Sequence, residues 1–429
     1  MHTFEIVIAL LLGGAGLAAL ARHMAMPYPA LVAIAGAALA LVPRVPTVGL
    51  DPALALALFV APVLVDAAFD APQRDLRANW VPITSHALGA VVLTVAVVAI
   101  VTKALVPAIP WAAAIVLGAI VAPPDAAAAT AVLKQLRPPH HLLVILEGES
   151  LFNDASALLI YRIAVGATLT GFVSGWSVVP TILIVTAGSV VLGFVLSYVV
   201  HRATMHIEDI ATMVIFQFCS TFAIWLLAER LHLSGILTMV VFAMAISRRA
   251  AETIPARIRI PSYAVWEVAV FVLNVLAFIL VGFQLRLIVR REDWITYAWV
   301  AAAVLLAAIL ARMVWVMGAA AISRHAIGLP PRAAAVVGWC GMRGTVTLAA
   351  ALALPTNFPY RDLIFFTSFA IVLGTLVLQG MTLRPLMSWL QLEDDGSVEA
   401  EVRVARVETL RAALAASREC PGAETAELV

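Results

Sequence analysis

Long apolar blocks, parted by short charged or proline- and glycine-containing breaks, recur from residue 4 to residue 390 of this 429-residue chain. That spacing limits the fold more than any single residue does. A bilayer core is about 30 Å thick and takes roughly 20 apolar residues to cross as a helix, so blocks repeating at this interval describe a polytopic membrane protein. Only 12% of the residues are charged and 63% are hydrophobic, with a mean hydropathy of +1.02; a soluble domain carries about a quarter charged residues. The blocks lack the alternating pattern of membrane barrels, and an open sheet edge cannot persist in lipid. The expected class is all-α.

Reading the breaks as boundaries predicts thirteen spans, at 4–21, 29–43, 50–69, 80–102, 110–134, 141–167, 176–200, 208–229, 234–248, 264–289, 294–322, 332–355 and 362–390. Residues 1–390 then form the transmembrane domain and 391–429 a charged tail. The first block has no basic residues before it, so it reads as a span and not as a signal peptide. With the N-terminus outside and the C-terminus in the cytoplasm, the cytoplasmic loops hold twelve basic residues, among them Arg74, Arg77, Arg248 and Arg249, against seven outside. Basic loops stay on the cytoplasmic side, which predicts a multi-pass protein of the plasma (inner) membrane. A net charge of +1 gives no reason to expect nucleic acid, and Cys219, Cys340 and Cys420 lie too far apart for a metal or disulfide framework. No cofactor is expected.

Thirteen spans divide into six, a connector and six. The fifth span of the first half is interrupted at Pro123-Pro124, and the fifth of the second half, span twelve, carries Gly338, Gly341 and Gly344 beside Arg343. Interrupted helices in matching positions mark inverted-repeat transporters with a midplane ion site. Pro124 has no N–H and turns Pro123 away from helical geometry, so carbonyls upstream lose their partners. Asp125 then either caps the second half-helix or contacts an ion directly; the residues leave both open.

The densest polar stretch is Glu147-Gly148-Glu149-Ser150-Leu151-Phe152-Asn153-Asp154, near the start of span six. A carboxylate at membrane depth persists mainly where it pairs, binds an ion or titrates. On a helix Glu149 stacks with Asn153, and Ser150 with Asp154. Ser150 and Asp154 offer a hydroxyl and a carboxylate suited to a small dehydrated cation, and Asn153 an amide able to orient Asp154 or hold a neighbouring helix end. Glu149 needs a cationic partner or a proton, and Arg343 is the cation well inside span twelve. Asp66 in span three is a candidate to reach the same ion. His86 reads as a hydrogen-bonded interior histidine, Gln217, Trp266 and Asn274 as interhelical hydrogen-bonding groups, and Arg312 has no assignable place.

These motifs resemble the cation:proton antiporter-1 family of sodium/proton exchangers. Glu149-Ser150-Leu151-Phe152-Asn153-Asp154 is similar to the family's E-S-L-x-N-D signature, Pro123-Pro124-Asp125-Ala126 to its unwound crossing segment, and Gly338 to Gly344 to its W-x-G-x-R-G segment. The resemblance implies that Asp154 alternately holds Na⁺ or H⁺ with Asn153 beside it. It implies further ligands at Ser150, Asp125 and Asp66, a buried ion pair of Glu149 with Arg343, and a homodimer in which a core domain moves against a dimerisation domain. The expected activity is electroneutral, non-enzymatic exchange of Na⁺ or Li⁺ for H⁺ by alternating access, serving pH and sodium homeostasis. K⁺/H⁺ exchange is the rival within transport, and a cation channel the rival from another class.

Overall fold

A computed structural model describes residues 2–23, 28–41, 52–133, 136, 138–171, 175–289, 294–322, 329–392 and 396–419. Of the basic loop residues in the twelve-against-seven count, Arg44, Lys134, Arg137, Arg290, Arg291 and Arg324 lie outside the described residues, as does Cys420. Among the described residues there is no strand. The helices are α1 (His2–His23), α2 (Tyr28–Leu41), α3 (Pro52–Asp70), α4 (Gln73–Ala78), α5 (Trp80–Thr84) and α6 (Val91–Leu105), with a π-helical turn at Ser85–Ala90 joining the last two. There follow α7 (Trp111–Val121), α8 (Ala126–Leu133), α9 (His140–Thr170), α10 (Gly175–Thr204), α11 (Ile210–Arg230), α12 (Gly235–Thr253), α13 (Ala256–Val289) and α14 (Trp294–Ile322). The last are α15 (Pro331–Trp339), α16 (Thr345–Leu352), α17 (Arg361–Leu390) and α18 (Ser397–Glu419).

Among the described residues each expected span overlaps helix, unbroken or interrupted, and 80–102 falls on α5, the π-helical turn and α6. Seven of the described helical stretches are long and apolar enough to cross a membrane by themselves, with shorter apolar helices at Leu11–Ala21, Tyr28–Ala38 and Leu54–Phe69. The helix α9 is not among the seven, because Glu147, Glu149, Asn153, Asp154 and Arg162 lower its hydropathy. The residues a transport site needs are the ones an apolar criterion rejects.

Helix contacts sort into two groups. Helices α6, α7, α9, α14, α15 and α17 pack on one another, and α2, α3, α10, α11, α12 and α13 form a second bundle. The broken pair α7/α8 and the broken pair α15/α16 meet between them, with α16 against α3 and α13. Apolar side chains remain exposed along the outer faces, for example Leu183, Ile184, Val191 and Phe194 on α10 and Val314 on α14. In a membrane such a surface is solvated by acyl chains, so these residues need no partner.

Helix ends follow local chemistry. Asp209 caps α11 by accepting from the backbone of Thr212 at 2.8 Å, and Ser234 caps α12 through Leu237 at 3.3 Å. Pro330 and Pro331 open α15, where a missing N–H costs nothing. The tail helix α18 is exposed along its described length, and Glu401 on it pairs with Arg74 on α4.

Candidate ion site at the crossed half-helices

The breaks at Pro123-Pro124 and at Cys340–Gly344 bring four helix ends together. Asp125 N–H donates to the Met342 carbonyl at 2.6 Å, joining one break to the other. The C-terminal ends of α7 and α15 leave carbonyls without helical partners, and each carries the negative pole of its helix. Arg343, fully buried, lies at these ends. Its Nε donates to the Val121 carbonyl at 2.9 Å, and its Nη1 donates to the Gly341 carbonyl. Its backbone N–H is held by Thr375 Oγ1 of α17 at 3.1 Å.

The opposite ends carry the opposite charge. Asp125 accepts from the backbone N–H of Ala127 at 2.9 Å, and the N–H groups of Ala128 and Thr345 also act on its carboxylate, so one carboxylate sits at the starts of both α8 and α16. This close approach requires a glycine: a Cβ on Gly344 would run into the Asp125 carboxylate. Ser150 ties the break to α9, with its Oγ donating to the Pro124 carbonyl at 3.1 Å and accepting from Ala126 N–H at 3.2 Å.

The expected pairing of Glu149 with Arg343 is corrected. Glu149 is gripped bidentately by Arg312 of α14: Nη1 donates to Oε1, and Nη2 reaches Oε2 at 3.0 Å. Both side chains are buried, at 0% and 2% exposure, and Arg312 Nη2 also donates to the Val337 carbonyl at 3.0 Å. The physical reason is division of labour between two cations. The orphaned carbonyls at the helix ends claim Arg343, and the long α14, packed along α6 and α15, presents Arg312 to the Glu149 face of α9. A planar five-donor guanidinium suits both tasks, and a lone lysine would fill neither fork.

Asn153 also differs from expectation. Its amide donates to Glu149 Oε1 at 3.1 Å and so belongs to the ion-pair network, and its side-chain Oδ1 finds no partner among the described residues. Asp154, 7% exposed, has no hydrogen-bond or ion-pair partner there, and the charge that acts on it is that of Asp125. Asp66 of α3 lies on the wall of a cleft between α3, α10, α11, α12 and α13. Tyr28, which accepts from Asn274 at 3.3 Å, lies within electrostatic reach of both Asp125 and Asp66. The sequence offered no signal for Tyr28, since a tyrosine near a span end is ordinary.

His86 occupies the π-helical turn, fully buried, with neither ring nitrogen hydrogen-bonded among the described residues; its charged neighbours are Glu149 and Arg312. The expectation of a hydrogen-bonded histidine is therefore not met. Trp266 does donate to Gln217, at 2.8 Å, as an interhelical bond.

Two opposed helix breaks, a cation on the negative ends, a carboxylate on the positive ends and an unpartnered aspartate beside them form an arrangement able to hold a small cation. The transmembrane sodium/hydrogen exchanger family matches residues 6–389. The chain belongs to that family. It is 30% identical over 422 residues to a sodium, potassium, lithium and rubidium/H⁺ antiporter of Bacillus pumilus, covering 92% of this chain and 62% of the relative. It is 31% identical over 388 residues to the low-affinity Na⁺/H⁺ antiporter NhaS1 of Synechocystis, covering 86% and 71% respectively. The chain thus spans less than two thirds of the Bacillus relative's length. In fold it is similar to the sodium proton antiporter MjNhaP1 of Methanocaldococcus jannaschii, with a TM-score of 0.75 at 16% identity over 91% of this chain and 99% of that one.

Proposed function

We propose that the chain is a secondary antiporter of the cell membrane that exchanges Na⁺ or Li⁺ for H⁺, one for one, by alternating access. The observation that carries this reading is Asp154: a buried carboxylate on α9, without an ion-pair partner among the described residues, beside the crossing that Asp125 caps. Such a group has two ways to be neutral, a proton or a cation, and it cannot hold both. Asp154 is the exchanging carboxylate. Ser150, Asp125 and Asp66 supply further oxygens, with Asp125 shared between the cation and the two helix ends. Asn153, Glu149 and Arg312 form a neutral brace on the neighbouring stripe of α9, so a single carboxylate changes charge per cycle. Arg343 holds the C-terminal ends of the crossing and touches no transported ion.

Residues 1–390 form the exchanger domain, with ion-binding helices at 110–167 and 332–355, and 391–429 form a cytoplasmic tail, the N-terminus lying outside. The protein works as a homodimer in lipid. A second reading, K⁺/H⁺ exchange, is favoured by the name of the Bacillus pumilus relative, which includes potassium and rubidium. The deciding experiment is proton flux in reconstituted vesicles on adding Na⁺, Li⁺ or K⁺. Flux with Na⁺ and Li⁺ alone supports the first reading; flux with K⁺ at comparable concentration supports the second. Cation conduction without proton movement defeats both.

A further inference from the structure

Beyond the ion site, a charged contact of α9 at Arg162 reaches into the other bundle. Arg162 lies eight residues past Asp154 on the same helix, about 12 Å along its axis. Its guanidinium forks, with Nη2 donating to the Glu229 carboxylate at the end of α11 and Nη1 to the Leu233 carbonyl at 3.1 Å. We propose that Arg162 and Glu229 are positioning residues for exchange, a latch that must open whenever Asp154 turns toward the side of the membrane on which the α11–α12 turn lies. The inference rests on the exchange function proposed above.

The receptor for Arg162 is built and rigid. Leu233 N–H bonds to the Ala228 carbonyl at 2.9 Å, and Ser234 N–H to Ser189 Oγ of α10 at 2.9 Å, which fastens the turn to its own bundle. Gly235 leaves room for the glutamate, since a Cβ there would meet Glu229 Oε1 at 3.0 Å and the Trp225 ring at 3.1 Å. None of the candidate ion residues lies on α11 or α12. The fork therefore joins the helix that carries Asp154 to two helices that carry none of the candidate ion residues, and a displacement of α9 by a few ångströms breaks it, because a hydrogen bond does not survive such stretching. At the other end of the bundle the cleft along Asp66 lies between α3, α10, α11, α12 and α13, near Thr204, Ile254 and Arg259. The described state is fastened at the Arg162 end and cleft at the Asp66 end.

Side-specific labelling tests this in the full-length chain with its native cysteines replaced. Ala157, fully buried and three residues from Asp154 toward the latch, is changed to cysteine and reacted with a membrane-impermeant maleimide applied from the Arg162 side. Arg162→Gln and Glu229→Gln are each expected to raise the labelling rate roughly two- to fivefold, the range that loss of a partly exposed forked pair supports. The charge exchange Arg162→Glu with Glu229→Arg should bring it back toward the original rate. The Na⁺ KM should fall on the latch side and rise on the other, a split that a merely structural role would not produce. Unchanged labelling in folded single variants, or no recovery in the charge exchange, overturns the latch. Should the glutamine variants not fold, Arg162→Lys keeps the charge and loses the fork; it must then raise labelling, and an unchanged rate is equally fatal. Labelling needs no transport, so a chain that labels as expected yet moves no Na⁺ against H⁺ defeats the exchange reading and not the latch.

Discussion

Glu149 and Arg312 provide the sharpest energetic test of how the site is braced. Replacing Arg312 by methionine keeps the packing volume and strips Glu149 of both guanidinium bonds, leaving it the Asn153 amide as a donor. Breaking a buried pair from one side is worth about 3–5 kcal/mol, most of it the cost of the uncompensated charge. For a chain this long that corresponds to roughly 3–6 °C in melting temperature. Removing both charges, with Glu149→Leu added, no longer leaves a lone ion. The Val337 carbonyl and Asn153 amide are still orphaned, at about 1–3 kcal/mol each, so recovery will be partial. The double-mutant cycle should give a coupling of about 2 kcal/mol or more, read from thermal unfolding of detergent-purified protein. The same cycle between Glu149 and Arg343 should give a smaller value, since Arg343 gives Nε and Nη1 to backbone carbonyls and makes no bond to Glu149. Additive single changes for Glu149 and Arg312, or a larger coupling to Arg343, would refute this assignment of the two arginines.

Other consequences concern the ion and the crossing. Asp154→Asn cannot titrate and should abolish exchange while leaving a folded protein, judged by its size-exclusion profile; retained exchange would remove Asp154 from the centre. Because H⁺ and Na⁺ compete for one carboxylate, the apparent Na⁺ KM should rise as pH falls, by up to about tenfold per unit in the single-site limit, and a pH-independent KM in flux assays would count against competition. Gly344→Ala drives a methyl into the Asp125 carboxylate and should cost most of the transport rate, whereas Gly13→Ala, with open space around it, should cost none; equal rates for the two would show that Asp125 does not sit at the α16 terminus during transport. A membrane potential imposed at fixed ion gradients should leave the exchange rate unchanged, and a clear voltage dependence would break the one-for-one assignment.

Much of this was legible from the chain itself, because lipid leaves backbone hydrogen bonds only one local solution and proline removes it at known places. The run of apolar blocks therefore determined an all-helical membrane protein, and Pro123-Pro124 with the glycines around Arg343 determined where two helices break. Helical spacing placed Ser150 beside Asp154, and Glu149 beside Asn153. Partners across the fold could not be read this way. Arg343 was the evident match for Glu149 because it is the cation within the broken span, yet Arg312, 163 positions away along the chain, takes the carboxylate. Periodicity fixes which residues share one helix face, and it carries no information about which other helix covers that face. Nor does it reveal that four helix termini converge, the fact that sets Arg343 on the negative ends and Asp125 on the positive ones. Tyr28, the bare His86 and the fork from Arg162 to Glu229 come from the same source. Each depends on how α2, α5, α9, α11 and α14 pack, and packing is decided by the whole chain at once.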